Sequence, residues 1–497
     1  MSKIFLTISF ITLFLLNGFS QQLKVSYSSN ALDAPFTGKV IAYLSKENKE
    51  PKDEAVGIIS FPCFSIFAKD IYPGQSIIID DNALSYPTTL SNIERGTYYV
   101  QIVWDKNQGG RSIANSPGNL FNSTTKIEIT KDTKRIYTIV ASQSIPPISK
   151  FKETQFIREI KAPSLLLTKF SGKTMTLDAA VVLPKEYYTE PDRKFPVIYN
   201  VFGYGGDYHK VSGYQEEIPS FLDSVPTILV LLDGNCALGH SVYANSDNNG
   251  PWGDALVNEF IPFLEKEYRC NGARLLTGHS SGGWTVLWLQ TQYPKTFAGC
   301  WSSSPDPVDF HSFQKVNLYD DKNIFYAQDS SLRLTATVAG GIPWATMKTV
   351  YQMEHVIYRG EQMQSFNAVF SKKGADGLPQ NICNSLTGEI NPEVFTNWKK
   401  YDISSNLKTN WDALKSDLDG KVRVSVGTAD NFLLNHAVTL LENQMKELNS
   451  SFKFAYYPGD HFTVSTPVYN TDGYEFLKER YSDWLKDPKY NLNNNSK

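Results

Sequence analysis

The sequence predicts two folded parts: an all-β, immunoglobulin-like sandwich over residues 23–145, and an α/β domain with a mostly parallel, doubly wound sheet over residues 150–490. Three observations predict this order. Short runs of alternating polarity fill the first part, without a helical period. Continuous apolar runs alternate with helical patterns in the second part, as in a sheet covered on both faces. A stretch with two prolines at 144–148 lies between them and is typical of a linker.

The first part has its clearest strand at residues 97–104, where side chains alternate in polarity. Turn residues, including Pro-Gly and Asp-Asn pairs, separate this strand from its neighbours. Several short strands at this spacing favour a sandwich. The candidates are residues 38–44, 58–71 (one strand or two), 76–79, 97–104, 126–129 and 135–141.

The second part begins with two apolar runs, at 165–170 and 175–183, on either side of Ser-Gly-Lys, which predict an antiparallel hairpin. Strands and helices then alternate. Residues 305–419 interrupt this alternation. This stretch is too long for a loop and has a helical pattern at 343–370, which predicts that it is an insertion in the α/β domain. The further strand candidates are 197–202, 227–232, 274–277, 297–302, 422–426 and 452–457; the helix candidates are 255–268, 282–293, 436–448 and 473–485.

The two ends of the chain carry their own patterns. Lys3 precedes an unbroken apolar run at 4–16, and the small residues Gly18 and Ser20 follow. This pattern predicts a signal peptide over residues 1–20, cleaved near Ser20, and therefore a secreted or periplasmic protein. The alternative is a buried N-terminal helix or strand. No cysteine follows the apolar run directly and no second long apolar segment appears in the sequence. We therefore expect neither a lipid anchor nor a membrane-spanning helix. Residues 491–497 form a polar tail.

The composition narrows the function classes. Of 497 residues, 41% are hydrophobic and 20% charged, with a formal net charge of -3, so we expect a folded core and no nucleic-acid partner. The five cysteines show no metal-ligand spacing, so we expect no metal site. The aromatic content of 13% fits two interpretations, sandwich core packing or rings that line a sugar or aryl site.

The strongest chemical motif is Gly-His-Ser-Ser-Gly at 278–282, between a strand candidate and a helix candidate. A sharp strand-to-helix turn exposes the hydroxyl of the central serine, Ser280, as a nucleophile. Glycine is expected at 278 and 282 because a Cβ there would clash with the neighbouring strand and helix. The alternative is a glycine-rich turn of structural use only. The motif predicts a serine hydrolase of the α/β-hydrolase type.

The partners of the nucleophile follow it in the chain, the acid before the base. Of seven histidines, His461 lies directly beyond the last predicted strand, which makes it the candidate base. Asp430 follows the strand at 422–426 and is the candidate acid, able to orient the imidazole through Nδ1. Asp460 is the rival acid, although adjacent residues seldom face each other. Helix capping is the structural alternative for Asp430.

The oxyanion donors are predicted from the backbone. Ser281 N–H lies at the start of the helix after the nucleophile. A second amide should come from the loop after the third strand, where Val-Phe-Gly-Tyr-Gly-Gly occupies 201–206. Tyr204 N–H is the first candidate and Gly203 N–H the second. A tight turn that needs glycine is the plain interpretation of this loop.

Four motifs together resemble an esterase family of α/β-hydrolases: YANS at 243–246, NGPWGD at 249–254, GHSSGGW at 278–284 and SSPD at 303–306. This family includes esterase D, feruloyl and acetylxylan esterases, enterochelin esterases and mycolyltransferases. The resemblance covers roughly residues 160–485 without much of the insertion. It implies ester hydrolysis by Ser280, His461 and Asp430.

The substrate residues are less defined by the sequence. Tyr243, Asn249 and Trp252 follow the fourth strand at its carboxyl end, so they are candidates to border a pocket. An ordered loop with a packing tryptophan is the alternative. The insertion at about 305–419 exceeds the spacing usual in the family and is expected to be a lid or a substrate-shaping element.

The predicted function is a two-step acyl transfer through an acyl-enzyme, with no metal or organic cofactor. The expected substrate is a small-molecule or carbohydrate ester, such as a feruloyl or acetyl group on a sugar. Three alternatives remain at this point. They are a serine peptidase of the prolyl-oligopeptidase type, an acyltransferase, and a catalytically silent binding protein.

Overall fold

The computed structural model of the protein describes residues 21–108, 110–130, 135–338 and 341–487. Two predicted segments, the signal peptide at 1–20 and the polar tail at 491–497, lie outside the described residues. The chain divides into two compact units. In the described ranges, no helix combines the length and apolar character needed to cross a membrane.

The first unit is built from strands. They are β1 (Gln22–Tyr27), β2 (Phe36–Ser45), β3 (Cys63–Ile71), β4 (Ile77–Ile79), β5 (Leu84–Tyr86), β6 (Gly96–Asp105), β7 (Leu120–Phe121), β8 (Thr125–Ile129), β9 (Ile136–Ala141) and β10 (Gln143–Ser144). Each of the six predicted strands coincides with one of these, although the candidate at 58–71 begins only at Cys63.

These strands form two sheets. One has the order β4-β1-β9, and the other has the order β10-β7-β6-β2-β3-β5 with β8 paired to β6. Side chains of both sheets share one buried apolar cluster, to which Val25 contributes from the first sheet and Phe64 and Trp104 from the second. The alternation in the sequence therefore corresponds to strands with one face in a common core.

The predicted boundary at residue 145 is incomplete, because two stretches inside it belong to the second unit. These are residues 53–60 and 105–119. Asp105 in the second stretch forms an ion pair with Arg359, more than 250 positions later. Contacts at such a distance in sequence leave no local pattern, so the sequence predicted one continuous domain.

The second unit contains an eight-stranded sheet in the order β11-β12-β14-β13-β19-β20-β23-β24. β12 pairs antiparallel with β11 and β14, and the other pairs are parallel. This is the α/β-hydrolase fold. Its strands are β11 (Ile157–Ser164), β12 (Met175–Val182), β13 (Phe195–Val201), β14 (Ile228–Leu232), β19 (Cys270–His279), β20 (Gly299–Ser303), β23 (Val422–Gly427) and β24 (Lys453–Tyr457).

Short strands and helices complete the second unit. The short strands are β15 (Asn235–Cys236), β16 (Gly239–His240), β17 (Asn245–Ser246), β18 (Gly250–Pro251), β21 (Leu334–Val338) and β22 (Ile342–Thr346). The helices are α1 (Leu165–Ser171), α2 (Glu186–Thr189), α3 (Trp252–Ala255), α4 (Ile261–Glu267), α5 (Ser281–Gln292), α6 (Met347–Ile357), α7 (Gln362–Phe370), α8 (Pro392–Trp398), α9 (Ile403–Leu418), α10 (Leu434–Glu447) and α11 (Pro467–Lys486). A π-helical turn, Leu256–Phe260, joins α3 to α4.

The hairpin predicted around 171–173 is wrong. Its first arm is the helix α1, while β12 pairs with β11 instead. The Ser164 side chain accepts the Leu167 N–H at the start of the helix, and Gly172 ends it with a left-handed backbone. Glu259 accepts the N–H groups of Leu165 and Leu166. These caps favour helix over strand.

The predicted insertion contains the hairpin β21–β22 and helices α6 to α9. Its side chains join the main buried cluster of the second unit, with Phe366, Phe370 and Trp398 among them. Phe370 lies 5.4 Å from Trp284 of α5, ring centre to ring centre. The insertion is thus packed on α5, the helix that follows Ser280.

Candidate active site

The turn between β19 and α5 holds Ser280 in a strained conformation. Its φ of 60° and ψ of -126° are unusual for a residue other than glycine. The Ser280 N–H donates to the Ser303 carbonyl oxygen at 2.9 Å, which connects the turn to β20. A Cβ at Gly282 would lie 2.0 Å from the Val201 carbonyl oxygen, and one at Gly278 only 2.4 Å from the Gly282 oxygen. Both glycines are therefore required by backbone contacts, as predicted.

The candidate acid and base lie together. The Asp430 Oδ2 and His461 Nδ1 atoms are 2.7 Å apart, and both residues are buried. The other carboxylate oxygen, Oδ1, accepts the Phe432 N–H at 2.9 Å. The side chain thus orients the imidazole and caps the loop before α10, so the catalytic and the capping interpretations are compatible.

The rival acid, Asp460, is engaged in its own loop. Its Oδ1 accepts the N–H groups of Phe462 and Thr463 at 3.0 and 2.8 Å. The Thr463 hydroxyl donates to the same oxygen. These bonds hold the turn that contains His461 rather than the imidazole itself.

His279 connects the nucleophile turn to the histidine loop. Its Nε2 lies 3.1 Å from the His461 carbonyl oxygen and its Nδ1 2.7 Å from the Ser303 hydroxyl. The two imidazole rings are 4.6 Å apart, centre to centre. Burial, together with the nearby His461, lowers the pKa of His279 to about 4, so its ring is neutral. The sequence places His279 inside the turn but does not indicate this bridge.

The candidate oxyanion residues lie next to Ser280. A Cβ at Gly203 would lie 3.1 Å from the Ser280 Cβ, so the loop after β13 runs directly against Ser280. The Gly206 N–H donates to the Gly203 oxygen at 2.9 Å and closes a turn around Tyr204. Across the described residues, neither the Tyr204 nor the Ser281 N–H has a hydrogen-bond acceptor. Both amides are free to bind a substrate oxygen.

A third carboxyl group, Asp306, lies beside Ser280 and was not predicted. The Ser281 hydroxyl donates to the Asp306 Oδ2 at 2.5 Å, and the backbone N–H of Asp306 donates to the Ser280 carbonyl oxygen at 3.3 Å. Burial raises the pKa of Asp306 to about 6. Its motif at 303–306 contributed to the family resemblance, but no sequence signal assigned it a contact.

The sequence matches the family described as "Putative esterase" over residues 173–471, which is more than half of the chain. The chain belongs to this esterase family. It is a serine hydrolase that acts on carboxylic esters. No curated protein matches the chain.

Three solved structures are similar to the esterase at low identity. The S-formylglutathione hydrolase of Agrobacterium tumefaciens is 14% identical, with a TM-score of 0.40, and the match covers 65% of this chain and 95% of that one. A ferulic acid esterase is 14% identical, with a TM-score of 0.33 and coverage of 68% and 97%. The dipeptidyl peptidase 4 of Porphyromonas gingivalis is 13% identical, with a TM-score of 0.39 and coverage of 90% and 48%. None of the three decides the substrate.

The esterase buries two of the three residues predicted to border the pocket. The Tyr243 hydroxyl donates to the Asp233 carbonyl oxygen at 2.7 Å, and its ring meets Trp252 edge to face. The Trp252 Nε1 donates to the Asn249 carbonyl oxygen at 2.9 Å. The structure corrects the prediction for Tyr243 and Trp252, because both side chains face the core. For Asn249 the pocket role stays a prediction.

An aromatic group surrounds the outer side of His461. The Phe432 and Phe462 rings lie 4.9 and 5.4 Å from the imidazole, centre to centre. Trp344 of the insertion lies 6.5 Å from Phe462. Phe462 is 63% exposed and Trp344 is 40% exposed. Phe432, Phe462 and Trp344 are called the aromatic surface below; it extends from the imidazole to solvent.

The hairpin β21–β22 holds Trp344 in this position. The Thr337 N–H donates to the Asn431 carbonyl oxygen at 2.7 Å, and the Asn431 Nδ2 donates back to the Thr337 oxygen at 2.8 Å. The Asn431 Oδ1 accepts the His461 N–H at 3.0 Å. One asparagine therefore joins the insertion, the acid loop and the histidine loop.

One side-chain group in the described ranges has metal-ligating atoms close together, namely Asp309, His311 and Asp402. Each already has a protein partner. Asp309 Oδ1 accepts the His311 N–H, and Asp402 accepts the N–H groups of Phe310 and Ser405. The five cysteines, all within the described residues, form no disulfide.

Proposed function

We propose that the protein is a secreted serine esterase in which Ser280, His461 and Asp430 form a catalytic triad. The observation that carries this proposal is the buried 2.7 Å contact between Asp430 and the His461 Nδ1, in a loop connected to the Ser280 turn by His279. With Nδ1 held by the carboxylate, Nε2 is left for the serine hydroxyl. The strained backbone at Ser280 supports a nucleophile role.

The reaction follows from these roles. His461 takes the proton of the Ser280 hydroxyl, and the Oγ attacks the ester carbonyl carbon. The alcohol leaves with the proton from His461, and water then hydrolyses the acyl-enzyme by the reverse set of transfers. The Ser281 and Tyr204 amides, with Gly203 N–H as the alternative to Tyr204, hold the oxyanion in both steps.

The aromatic surface supports a substrate with a ring next to the ester. Because His461 gives its proton to the leaving alcohol, groups around the outer side of its ring face the alcohol half of the ester. Exposed aromatic rings bind flat apolar faces, including those of aryl groups and sugars. This favours acyl esters of carbohydrates, with feruloyl and acetyl groups as the first acyl halves to test.

The location and the first unit belong to the same proposal. The apolar run after Lys3 supports export through a cleaved signal peptide. To test export, the N-terminal residue of the protein isolated from the extracytoplasmic fraction is determined by mass spectrometry.

The two sheets that share one core support an immunoglobulin-like assignment for the first unit. The three proposed triad residues all lie in the second unit.

The test of the function is the variant Ser280→Ala. We expect turnover of p-nitrophenyl acetate and methyl ferulate to fall by about 10⁴-fold or more, as for loss of a serine nucleophile. Covalent labelling by a fluorophosphonate should be lost as well. Ser224→Ala, at an exposed serine, is the matched control. Full turnover in Ser280→Ala would refute the proposal.

Substrate comparison separates this esterase from the other serine hydrolases. The purified protein is assayed with methyl ferulate, acetylated xylo-oligosaccharide, p-nitrophenyl acetate and a peptide anilide. We expect turnover of the esters and none of the anilide. Turnover of the anilide at a comparable kcat/KM would indicate a peptidase, and ester products with an added acceptor alcohol would indicate an acyltransferase.

A further inference from the structure

The insertion places a short turn against both candidate oxyanion residues. This turn, residues 358–362, connects α6 to α7 and is called the 358–362 turn below. Tyr358 and Gly360 have φ values of 73° and 83°, in the left-handed region. A Cβ at Gly360 would lie 2.0 Å from the Arg111 carbonyl oxygen, so only glycine fits there.

The turn is anchored by a fully buried ion pair. The Arg359 Nε and Nη2 atoms donate to the two oxygens of Asp105, both at 2.7 Å, and neither side chain is exposed. The Tyr358 hydroxyl donates to the same carboxylate at 2.5 Å, and the Arg359 Nη1 donates to the Ala237 carbonyl oxygen at 2.8 Å. Burial by itself would raise the pKa of Asp105, but the bonds and charge of Arg359 hold it below its ordinary value. The pair is therefore charged and fixed.

From this anchor the turn reaches Tyr204. The Glu361 Oε2 and the Gly360 carbonyl oxygen lie 2.8 and 2.7 Å from the Tyr204 hydroxyl. The Arg111 guanidinium lies 4.3 Å above the Tyr204 ring and donates both to its hydroxyl and to the Gly360 oxygen. Burial raises the pKa of Glu361, and the nearby charge of Arg111 offsets part of that rise. The Tyr204 side chain is thus held from three directions.

The next residue of the turn reaches Ser281. The Gln362 Nε2 lies 3.5 Å from the Ser281 hydroxyl, which itself donates to Asp306. Ser281 therefore has an amide on one side and a buried carboxyl group on the other. Consecutive residues, Glu361 and Gln362, contact the side chains of the two residues whose amides are proposed to bind the oxyanion.

We propose that the 358–362 turn positions the oxyanion hole, with Glu361 and Gln362 as positioning residues that act through Tyr204 and Ser281. This inference rests on the proposed function. Oxyanion donors are effective only when they are held in place before the reaction, and a displacement of about 1 Å can cost about 100-fold in rate. Backbone amides in a glycine-rich loop have little rigidity of their own, so contacts from a fixed turn supply it.

The insertion has a role of its own in this proposal. The turn belongs to a segment that the sequence predicted as a lid or a substrate-shaping element. In the structure it contacts residues that hold the nucleophile turn and the loop after β13. The insertion therefore contributes to the rate of the chemical step.

The test uses variants that remove single contacts from the full-length protein. Tyr204→Phe removes one hydroxyl and leaves the backbone amide, while Glu361→Ala and Gln362→Ala remove the groups of the turn. We expect each to lower kcat about tenfold and to change KM less than about threefold, since the loss is in transition-state binding. Tyr214→Phe, at an exposed residue, and Gln352→Ala, at a half-buried residue whose side chain contacts the Leu386 carbonyl oxygen, are the matched controls. Glu361→Gln, whose amide oxygen still accepts from Tyr204, should keep most of the activity.

A second measurement separates oxyanion binding from general loss of structure. The kcat for p-nitrophenyl acetate is compared with that for the matching O-aryl thionoacetate, whose sulfur is a weak hydrogen-bond acceptor. A weakened oxyanion hole discriminates less between an oxygen and a sulfur acceptor. The ratio of kcat for the oxygen ester to kcat for the thionoester should therefore fall in Tyr204→Phe and Glu361→Ala and stay constant in the controls.

The outcomes are distinct. If all three variants keep kcat within twofold of the controls and the oxygen-to-sulfur ratio is unchanged, the inference is wrong while Ser280→Ala still lacks activity. If Ser280→Ala keeps full turnover, the proposed function itself is wrong. If Glu361→Ala does not fold, Tyr204→Phe decides alone, because it removes a single oxygen atom.

Discussion

The His279 Nε2 lies 3.1 Å from the His461 carbonyl oxygen, so the residue before the candidate nucleophile, Ser280, holds the backbone of the candidate base. The turn and the histidine loop come from β19 and from the chain after β24, which are three positions apart in the sheet order. A neutral, buried imidazole suits this structural bond, because it can donate from Nε2 and accept at Nδ1 at the same time.

This bond predicts that His279→Ala lowers kcat about tenfold with little change in KM, because the His461 loop loses its connection to the nucleophile turn. His279→Gln, whose amide can donate to the same carbonyl oxygen, should recover part of the loss. Steady-state kinetics on p-nitrophenyl acetate measures both, with His311→Ala at an exposed histidine as the control. Equal kcat values for His279→Ala and the control would contradict the role given to this bond.

The aromatic surface predicts a substrate-dependent effect. Trp344→Ala and Phe462→Ala should raise KM about fivefold for esters with an aryl or sugar alcohol and leave ethyl acetate unchanged, since a lost aromatic contact is worth about 1 kcal/mol. Leu386→Ala, at an apolar residue of the insertion that is 75% exposed, is the control. A rise in KM of the same size for all esters would show that the surface does not bind the alcohol half.

The buried pair of Asp105 and Arg359 predicts a large effect on stability. Arg359→Ala leaves a buried carboxylate without its partner, and we expect the free energy of unfolding to fall by about 3–5 kcal/mol. Lys478→Ala breaks the exposed pair with Asp223 and should cost about 1 kcal/mol or less. Urea denaturation at pH 7 compares the two. A loss in Arg359→Ala no larger than in Lys478→Ala would mean that the pair does not stabilise the fold.

The buried histidine His240 predicts a loss of stability in acid. Burial, aided by the charge of Arg111, lowers its pKa to about 4, and its Nδ1 accepts the Val242 N–H at 3.0 Å. The unfolded chain takes up a proton below its ordinary pKa of about 6.5, whereas the folded chain does so only near 4. The contribution of His240 is therefore complete above about pH 6.5 and is lost as the pH falls towards 4.

Thermal unfolding between pH 7 and pH 4.5 measures this effect. We expect the wild type to lose about 2–3 kcal/mol more than His240→Asn, which keeps an acceptor for the Val242 N–H but does not titrate. Identical pH dependence in the two proteins would show that His240 is not responsible for acid sensitivity.

The sequence by itself determined most of the sheet of the second unit and the local geometry around Ser280. Buried parallel strands need continuous apolar runs, and the runs at 197–202, 297–302 and 422–426 coincide with observed strands. The glycines at 278 and 282 were predictable because the steric requirement lies within a few residues. The order of acid and base along the chain likewise pointed to Asp430 and His461, which the fold brings within hydrogen-bond distance.

Tertiary structure alone decided the rest. The run at 165–170 is apolar enough for a strand, but the caps at Ser164 and Gly172 and the distant Glu259 make it a helix. Tyr243 and Trp252 have the residue types of a binding site, yet they pack on each other in the core. In each case a short sequence pattern fits two structures, and the partner that selects one of them lies elsewhere.

The contacts of the 358–362 turn could not be predicted from the sequence either. Its contacts join Asp105, Arg111, Tyr204 and Ser281, which are separated from it by about 80 to 250 positions. Periodicity and spacing report only what a residue needs from its near neighbours in the chain. The candidate residues for the chemistry could therefore be proposed from the sequence, whereas the residues that contact and hold them became visible only in the folded chain.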